Sequence, residues 1–305
     1  MLKAALGLAL LALSYFVGVR TASFHAHLLF PLGFWLFFDA LDSAHRGTSL
    51  LSQHSPAHTL GVILVGGLAG LLLDFHMIIV TGILRLLAVD NIITALEMYL
   101  GWGLCLPAIY ESYQVFLNLG TRRNKQVSVE DAKHLIRPFW HHWGHPLLAK
   151  ETIRQTGSIL IGAGAILICI PLFLRMYQPG VSGWPIILSF AGFWLAAEGL
   201  AAHRNRSGIL AFWLEGRWWP ALAILPPALI FVIAWEGLNG LMGSWVYQNL
   251  FWLEPKVWNV PLVAIFGYIF WYILFLSFYE VLFGFAFTSR YRLRSSRRRS
   301  SAETE

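Results

Sequence analysis

The sequence predicts an all-α polytopic membrane protein with about eight transmembrane helices in two parallel tandem four-helix repeats. Three observations predict this fold class: an apolar composition, apolar runs of bilayer-spanning length, and residue patterns of the first half that recur in the second. The chain is 57% hydrophobic and 12% charged, whereas soluble domains carry roughly a quarter charged residues. Because part of any folded protein faces its solvent, this composition favours lipid as that solvent.

The apolar runs define the spans and the domains. In the first half they cover residues 4–19, 24–41, 59–81 and 92–119, and in the second half 156–174, 184–202, 218–237 and 258–288. This predicts a first membrane repeat at 1–119, a connecting loop at 120–155, a second repeat at 156–288 and a basic tail at 289–305. The first run, which follows Lys3, also has the pattern of a signal peptide. We expect it to be retained, because the fifth run is its counterpart.

The lysines and arginines predict the orientation. With a cytoplasmic N-terminus and an even number of spans, the connecting loop and the tail lie on one side. Of the 22 lysines and arginines, those on the other side are Arg20, Arg85, Arg175 and Lys256. Cytoplasmic loops of membrane proteins are enriched in these residues. We therefore expect both termini in the cytoplasm and the protein in a bacterial inner membrane.

The basic tail predicts one partner, the membrane itself. The arginines between residues 290 and 299 adjoin the last span, where they should attract anionic lipid headgroups. The formal charge of +6 is thus explained by topology, and we do not expect nucleic-acid binding. Cys105 and Cys169 lie in apolar runs and form no disulfide framework. The sequence identifies no cofactor and no protein partner.

The internal duplication consists of an ordered series of matches. Residues 33–39, Gly-Phe-Trp-Leu-Phe-Phe-Asp, match residues 192–198, Gly-Phe-Trp-Leu-Ala-Ala-Glu, and Ala-His-Arg follows at both 44–46 and 202–204. Two repeats with an even number of spans each are parallel, so we expect a pseudo-twofold axis along the membrane normal. Asp39 and Glu198, near the cytoplasmic ends of their spans, are interpreted as structural.

Four further acids within the spans are the candidate catalytic residues. The duplication pairs Asp74 with Glu236 and Glu111 with Glu280. Ionisable side chains at such depth usually face the bundle interior and mark functional sites. They suit a general acid, a proton relay or a cation site. The alternative is that they hydrogen-bond to neighbours and hold the halves together, with Asn239 as a local partner of Glu236.

Aromatic residues accompany these acids and are the candidate substrate-binding residues. At one constant offset, the first three recur as the last three: Tyr99, Trp102, Tyr110, Tyr268, Trp271 and Tyr279. An aromatic wall with a few acids suits a long polyene or prenyl chain, and its rings can stabilise a carbocation. Helix packing explains the same pattern equally well.

Two groups of histidines have the spacing of metal ligands. His54-x-x-x-His58 and His141-His142-x-x-His145 each place two imidazoles on one face of a helix. The pattern resembles the histidine boxes of membrane di-iron desaturases and hydroxylases, which would imply a metal-dependent oxygenase. The resemblance covers these two short segments, the order of the second is reversed, and a third box is missing. Histidines in a solvated loop are the alternative that we favour.

The leading functional hypothesis is binding or conversion of a hydrophobic lipid of the isoprenoid or carotenoid kind, in an intramembrane cavity lined by acids and aromatic residues. In overall plan the chain is similar to the polytopic carotenoid cyclases and hydratases, which also use membrane-embedded acids. A proton-coupled carrier and a non-catalytic structural subunit are the alternatives, and the metal-dependent oxygenase comes last. Whether the protein is an enzyme stays open at this point.

Overall fold

The computed structural model describes residues 2–21, 25–123, 150–178, 183–204, 206, 208–214, 219–250 and 252–284, and these are mostly helical. The helices of the first half are α1 Leu2–Thr21, α2 His25–Arg46, α3 Leu50–Gln53, α4 Pro56–Phe75 and α5 Ile92–Arg123. Those of the second half are α6 Lys150–Tyr177, α7 Ile186–His203, α8 Ile209–Leu214, α9 Trp219–Leu222, α10 Leu225–Met242 and α11 Leu262–Phe283.

The structure also has four short strands, which the all-α prediction did not include. Strand β1 Leu84–Leu86 pairs antiparallel with β2 Trp245–Tyr247, so that Arg85 lies opposite Val246. Strands β3 Lys256–Val257 and β4 Val260–Pro261 form a second antiparallel pair. The prediction that the last span begins at 258 is therefore wrong: this pair occupies the segment, and α11 begins at Leu262.

The protein is an integral, multi-pass membrane protein by its helix content. Seven stretches of the described chain are long and apolar enough to cross a bilayer: Leu2–Thr21, Pro56–Val80, Ile92–Leu119, Gly157–Tyr177, Ile186–His203, Trp219–Met242 and Leu262–Phe283. Helix α2 has 22 residues but carries Asp39, Asp42 and Arg46, which lower its hydropathy. The number of eight spans stays a prediction.

The outward faces of the helices have the character of a lipid-facing surface. On α4 the side chains at every fourth position, Leu60, Leu64, Leu68 and Leu72, are 43–62% exposed. Residues four apart lie on one helix face, so these leucines form an apolar stripe along the whole helix. Large contiguous apolar surfaces are rare on soluble monomers.

The inward faces pack through small residues. A Cβ atom on Gly7 of α1 would lie 2.8 Å from the carbonyl oxygen of Gly33 on α2, and one on Gly164 of α6 would lie 2.6 Å from that of Gly192 on α7. Glycines bring helix backbones into direct contact in membranes, where van der Waals packing and not the hydrophobic effect drives helix association.

Helices α5 and α11 meet at the centre of the molecule. The rings of Tyr110 and Tyr279 stack with centroids 4.0 Å apart, and those of Trp102 and Trp271 lie 4.6 Å apart. Nine residues of α5 separate Trp102 from Glu111, which is about 13 Å along the helix axis. The polar groups of the interior therefore fall into two levels, one beside the tryptophans near β1 and β2 and one beside the tyrosines.

Candidate functional site

An internal cavity of about 390 Å³ lies at the level of the tryptophans. Its walls come from α2 through His27, from α4, α5, α7, α10 and α11, and from the two paired strands β1 and β2 with the segments beside them. Most lining side chains are aliphatic or aromatic, and the aromatic ones include Trp102, Trp194, Trp235, Trp245, Tyr268 and Trp271. A pocket with such walls has affinity for apolar ligands.

The cavity reaches the lipid-facing surface between α7 and α11. Three of its lining residues are themselves exposed: Ile187 on α7 is 53% exposed, and Phe266 and Phe270 on α11 are 53% and 61% exposed. These side chains are apolar, so the opening has an apolar rim.

Asp74 provides the carboxyl group of the cavity. It is 3% exposed, and its Oδ2 accepts a hydrogen bond of 2.5 Å from Nε1 of Trp102. Its Oδ1 has no hydrogen-bond partner among the described residues. Trp235, which is 4% exposed and also lines the cavity, likewise has no partner for its Nε1 there. Buried polar atoms are usually satisfied, so each exception calls for an explanation.

The backbone around Asp74 explains how Trp102 reaches it. Gly70 lies one turn before Asp74 on α4, and a Cβ atom there would lie 2.2 Å from Cγ of Trp102. The indole therefore lies directly on the backbone of α4, with its N–H beside the carboxylate. Directly after Phe75 the helix widens into a π-helical turn, His76–Val80. Such turns occur frequently at functional sites.

Glu236 has a different environment from Asp74, its predicted counterpart. It is fully buried, and its Oε1 accepts hydrogen bonds from the hydroxyls of Tyr247 at 2.7 Å and Tyr268 at 2.5 Å. Its Oε2 accepts from Nδ2 of Asn239 at 3.2 Å, the local partner that the sequence indicated. Both carboxylate oxygens are thus satisfied within the protein. Glu236 joins β2 to α10 and α11 and does not itself line the cavity.

Glu111 and Glu280 lie at the level of the tyrosines, because each directly follows one residue of the Tyr110–Tyr279 stack. Both are fully buried, and both interact electrostatically with Tyr279. Glu111 accepts a hydrogen bond from the backbone N–H of Leu50. Neither residue lines the cavity. Of the four acids that were expected to border an internal cavity, Asp74 lines this one, and the expectation for the other three stays a prediction.

The candidate aromatic residues divide in the same way. Trp102, Tyr268 and Trp271 line the cavity. Tyr110 and Tyr279 stack on each other at the other level. The hydroxyl of Tyr99 donates to the carbonyl oxygen of Leu64 at 2.9 Å, which is a contact between helices α5 and α4. Three of the six predicted substrate-binding residues therefore reach the cavity.

Asp39 and Glu198 each hold the chain that follows their helix. Oδ1 of Asp39 accepts from the backbone N–H of Leu51 at 3.1 Å, and Oε2 of Glu198 accepts from that of Leu210 at 3.2 Å. A Cβ atom on Gly208 would lie 2.0 Å from Oε2 of Glu198, so the longer acid requires glycine there. These contacts support the structural interpretation of both residues.

His54 and His58 are stacked, with ring centroids 4.0 Å apart. Burial lowers the pKa of His54, and the neighbouring His58 lowers that pKa further. His141 and His145 lie outside the described residues, so the convergence required for a metal site stays a prediction. No group of three or more metal-ligating side chains occurs in the described part of the chain.

Trp235 is a polar cavity residue that the sequence did not single out. It lies in the middle of an apolar span, directly before Glu236, whereas tryptophans are typical of span ends. This unusual position is the feature by which the sequence could have identified Trp235.

Comparison with known proteins identifies no family. No protein-family model, no curated protein and no solved structure matches the chain.

Proposed function

We propose that this membrane protein binds a hydrophobic lipid of the isoprenoid or carotenoid kind in the cavity beside Asp74. The observation that carries the proposal is an apolar, largely aromatic cavity of about 390 Å³ that contains a buried carboxyl group. Small-molecule sites have volumes of roughly 300–1,000 Å³, apolar walls and a small number of polar groups. Prenyl and polyene chains present flat, apolar faces that pack well on aromatic rings.

The opening between α7 and α11 supports a lipid ligand. Ile187, Phe266 and Phe270 line the cavity and are exposed to the hydrocarbon region at the same time. A long chain that is anchored inside can extend through this opening into the bilayer. A water-soluble ligand would instead have to cross apolar surface to reach Asp74.

Asp74 and its neighbours also have the elements of an acid catalyst. In its protonated form Asp74 can transfer its proton to a double bond, and the faces of Trp102, Trp235 and Trp271 can stabilise the resulting carbocation. In its ionised form the same group accepts hydrogen bonds through both oxygens. Glu236, whose oxygens are occupied by protein donors, is assigned a structural role. This reduces the proposed catalytic set to one acid.

The proposed framework for the site is the duplicated four-helix unit. Gly7 contacts Gly33 and Gly164 contacts Gly192, so the first two helices of each half pack through a pair of glycines. Strands β1 and β2 follow the third span of each half, and they pair antiparallel. Strands that run perpendicular to a twofold axis and meet across it are antiparallel, so this pairing is compatible with the proposed axis.

Filling the cavity tests the proposal. Gly267 lines the cavity, and a Cβ atom there would meet nothing within 4 Å, so Gly267→Phe should occupy the cavity without a backbone clash. Gly162 on α6 has equally open surroundings but does not line the cavity. Gly162→Phe is therefore the matched control.

The measurement is mass spectrometry of lipids extracted from protein that is purified in mild detergent. We expect an isoprenoid lipid to copurify with the wild type and with Gly162→Phe, and its amount to fall at least about tenfold with Gly267→Phe, since bulk in the cavity excludes the ligand. Equal retention in both variants, or no enriched lipid in the wild type, would contradict the proposal.

A proton-coupled carrier is the second candidate, and the Glu111–Glu280 cluster favours it. These buried acids lie beside a tyrosine pair at the centre of the molecule, and acid chains of this kind form proton relays. Reconstituted vesicles with a pH-sensitive dye inside distinguish the two functions. Proton uptake that is lost in Glu280→Gln would favour the carrier, and the lipid-binding function predicts no uptake.

A further inference from the structure

The cavity has a polar end that is built for a particular functional group. Oδ1 of Asp74 is a hydrogen-bond acceptor and Nε1 of Trp235 is a donor, and neither has a partner among the described residues. Both side chains line the cavity and are more than nine-tenths buried. Trp102 is a neighbour of both residues: it donates to Asp74, and its ring centroid lies 6.1 Å from that of Trp235.

A hydroxyl group complements this pair, because it donates one hydrogen bond and accepts others. We propose that the ligand is a lipid alcohol whose hydroxyl donates to Oδ1 of Asp74 and accepts from Nε1 of Trp235. This inference rests on the proposed lipid-binding function and specifies the chemical class of the ligand. The hydroxyl lies at the buried end, and the hydrocarbon chain extends towards Phe266 and Phe270 at the opening.

Other functional groups satisfy the pair less well. A hydrocarbon leaves both atoms unsatisfied inside the cavity, at a cost for each of them. An ether accepts from Trp235 but has no hydrogen for Asp74. A quaternary ammonium group suits the aromatic walls and the carboxylate, but it has no lone pair for the indole N–H of Trp235.

The test uses probes with the same chain and different ends: farnesol, its methyl ether, farnesylamine and the corresponding hydrocarbon. Dissociation constants are measured by competition against labelled farnesol on the intact protein in detergent. We expect farnesol to bind about fivefold more tightly than the ether, which corresponds to one hydrogen bond of about 1 kcal/mol. The hydrocarbon should bind more weakly than either.

Two variants attribute the preference to the two atoms. Asp74→Asn keeps an acceptor for Trp102 and replaces the free acceptor by a donor, so the preference for alcohol over ether should vanish. Trp235→Phe removes the indole N–H, so the binding of alcohol and ether should weaken about fivefold relative to that of the hydrocarbon. Trp194→Phe is the matched control: Trp194 lines the cavity too, but its N–H donates to Glu198 at 3.1 Å. It should change the affinities for all probes equally.

The possible results are distinct. Equal affinities for farnesol and the hydrocarbon would overturn the alcohol inference and leave the lipid-binding function intact. Farnesylamine as the tightest ligand would replace the inference by a cation site. Binding of none of the probes would overturn both proposals. If a variant does not fold, the comparison of alcohol with ether on the wild type still decides.

Discussion

Truncation of Glu236 to alanine should mainly lower stability, whereas truncation of Asp74 should mainly impair ligand binding, although the two acids occupy corresponding places in the predicted repeats. In Glu236→Ala the hydroxyls of Tyr247 and Tyr268 and the amide of Asn239 lose their common acceptor. In Asp74→Ala the indole N–H of Trp102 loses its acceptor. The loss of Oδ1 breaks no further hydrogen bond, because this atom has no partner among the described residues.

The expected magnitudes follow from these bonds. Side-chain hydrogen bonds within membranes contribute about 0.6 kcal/mol on average. Three of them predict a loss of about 2 kcal/mol for Glu236→Ala, and one predicts a loss of about 0.6 kcal/mol for Asp74→Ala. Glu236→Gln keeps one acceptor oxygen for the two tyrosines, so it should lie between the wild type and Glu236→Ala.

The assay is reversible unfolding in mixed micelles, followed by tryptophan fluorescence, combined with the lipid retention described above. We expect Glu236→Ala to lose stability and, in the fraction that remains folded, to keep its lipid. Asp74→Ala should lose only the smaller amount of stability given above, and it should lose the preference for alcohol over ether. Equal destabilisation by the two alanine variants, or Glu236→Gln as damaging as Glu236→Ala, would refute the distinction between a structural acid and a ligand-binding acid.

Two further predictions concern the framework. Reporter fusions after Gln126 and after Ser300 should report the same, cytoplasmic side of the membrane, because the basic residues are enriched in both segments; opposite sides would contradict the orientation. Gly164→Leu should lower the unfolding free energy by about 1–3 kcal/mol through overpacking against Gly192, whereas Gly162→Leu, where a Cβ atom meets nothing within 4 Å, should be neutral. Unfolding curves that coincide for the two variants would show that this helix crossing is not tightly packed.

Several properties of the candidate site were predictable because they are local in sequence. Asn239 lies one helix turn after Glu236, so its hydrogen bond to that acid followed from spacing alone. Trp102 and Trp271 were selected by their common offset to the acids, and both line the cavity. The boundaries of the last span were predicted less well, since a short strand pair and a helix start have similar hydropathy.

The sequence by itself determined the membrane class and most of the spans, because the free energy of transferring a segment into lipid is a sum over its own residues. The tertiary structure decided which acid has a free oxygen. Glu236 accepts from tyrosines 11 and 32 residues away, whereas Asp74 accepts from a tryptophan 28 residues away through Oδ2 alone. The tertiary structure likewise decided that Trp235 lines the cavity with an indole N–H that has no partner among the described residues. Whether a buried polar atom finds a hydrogen-bond partner depends on the distances between helices. These distances depend on packing at positions such as Gly70, so they cannot be predicted from one segment alone.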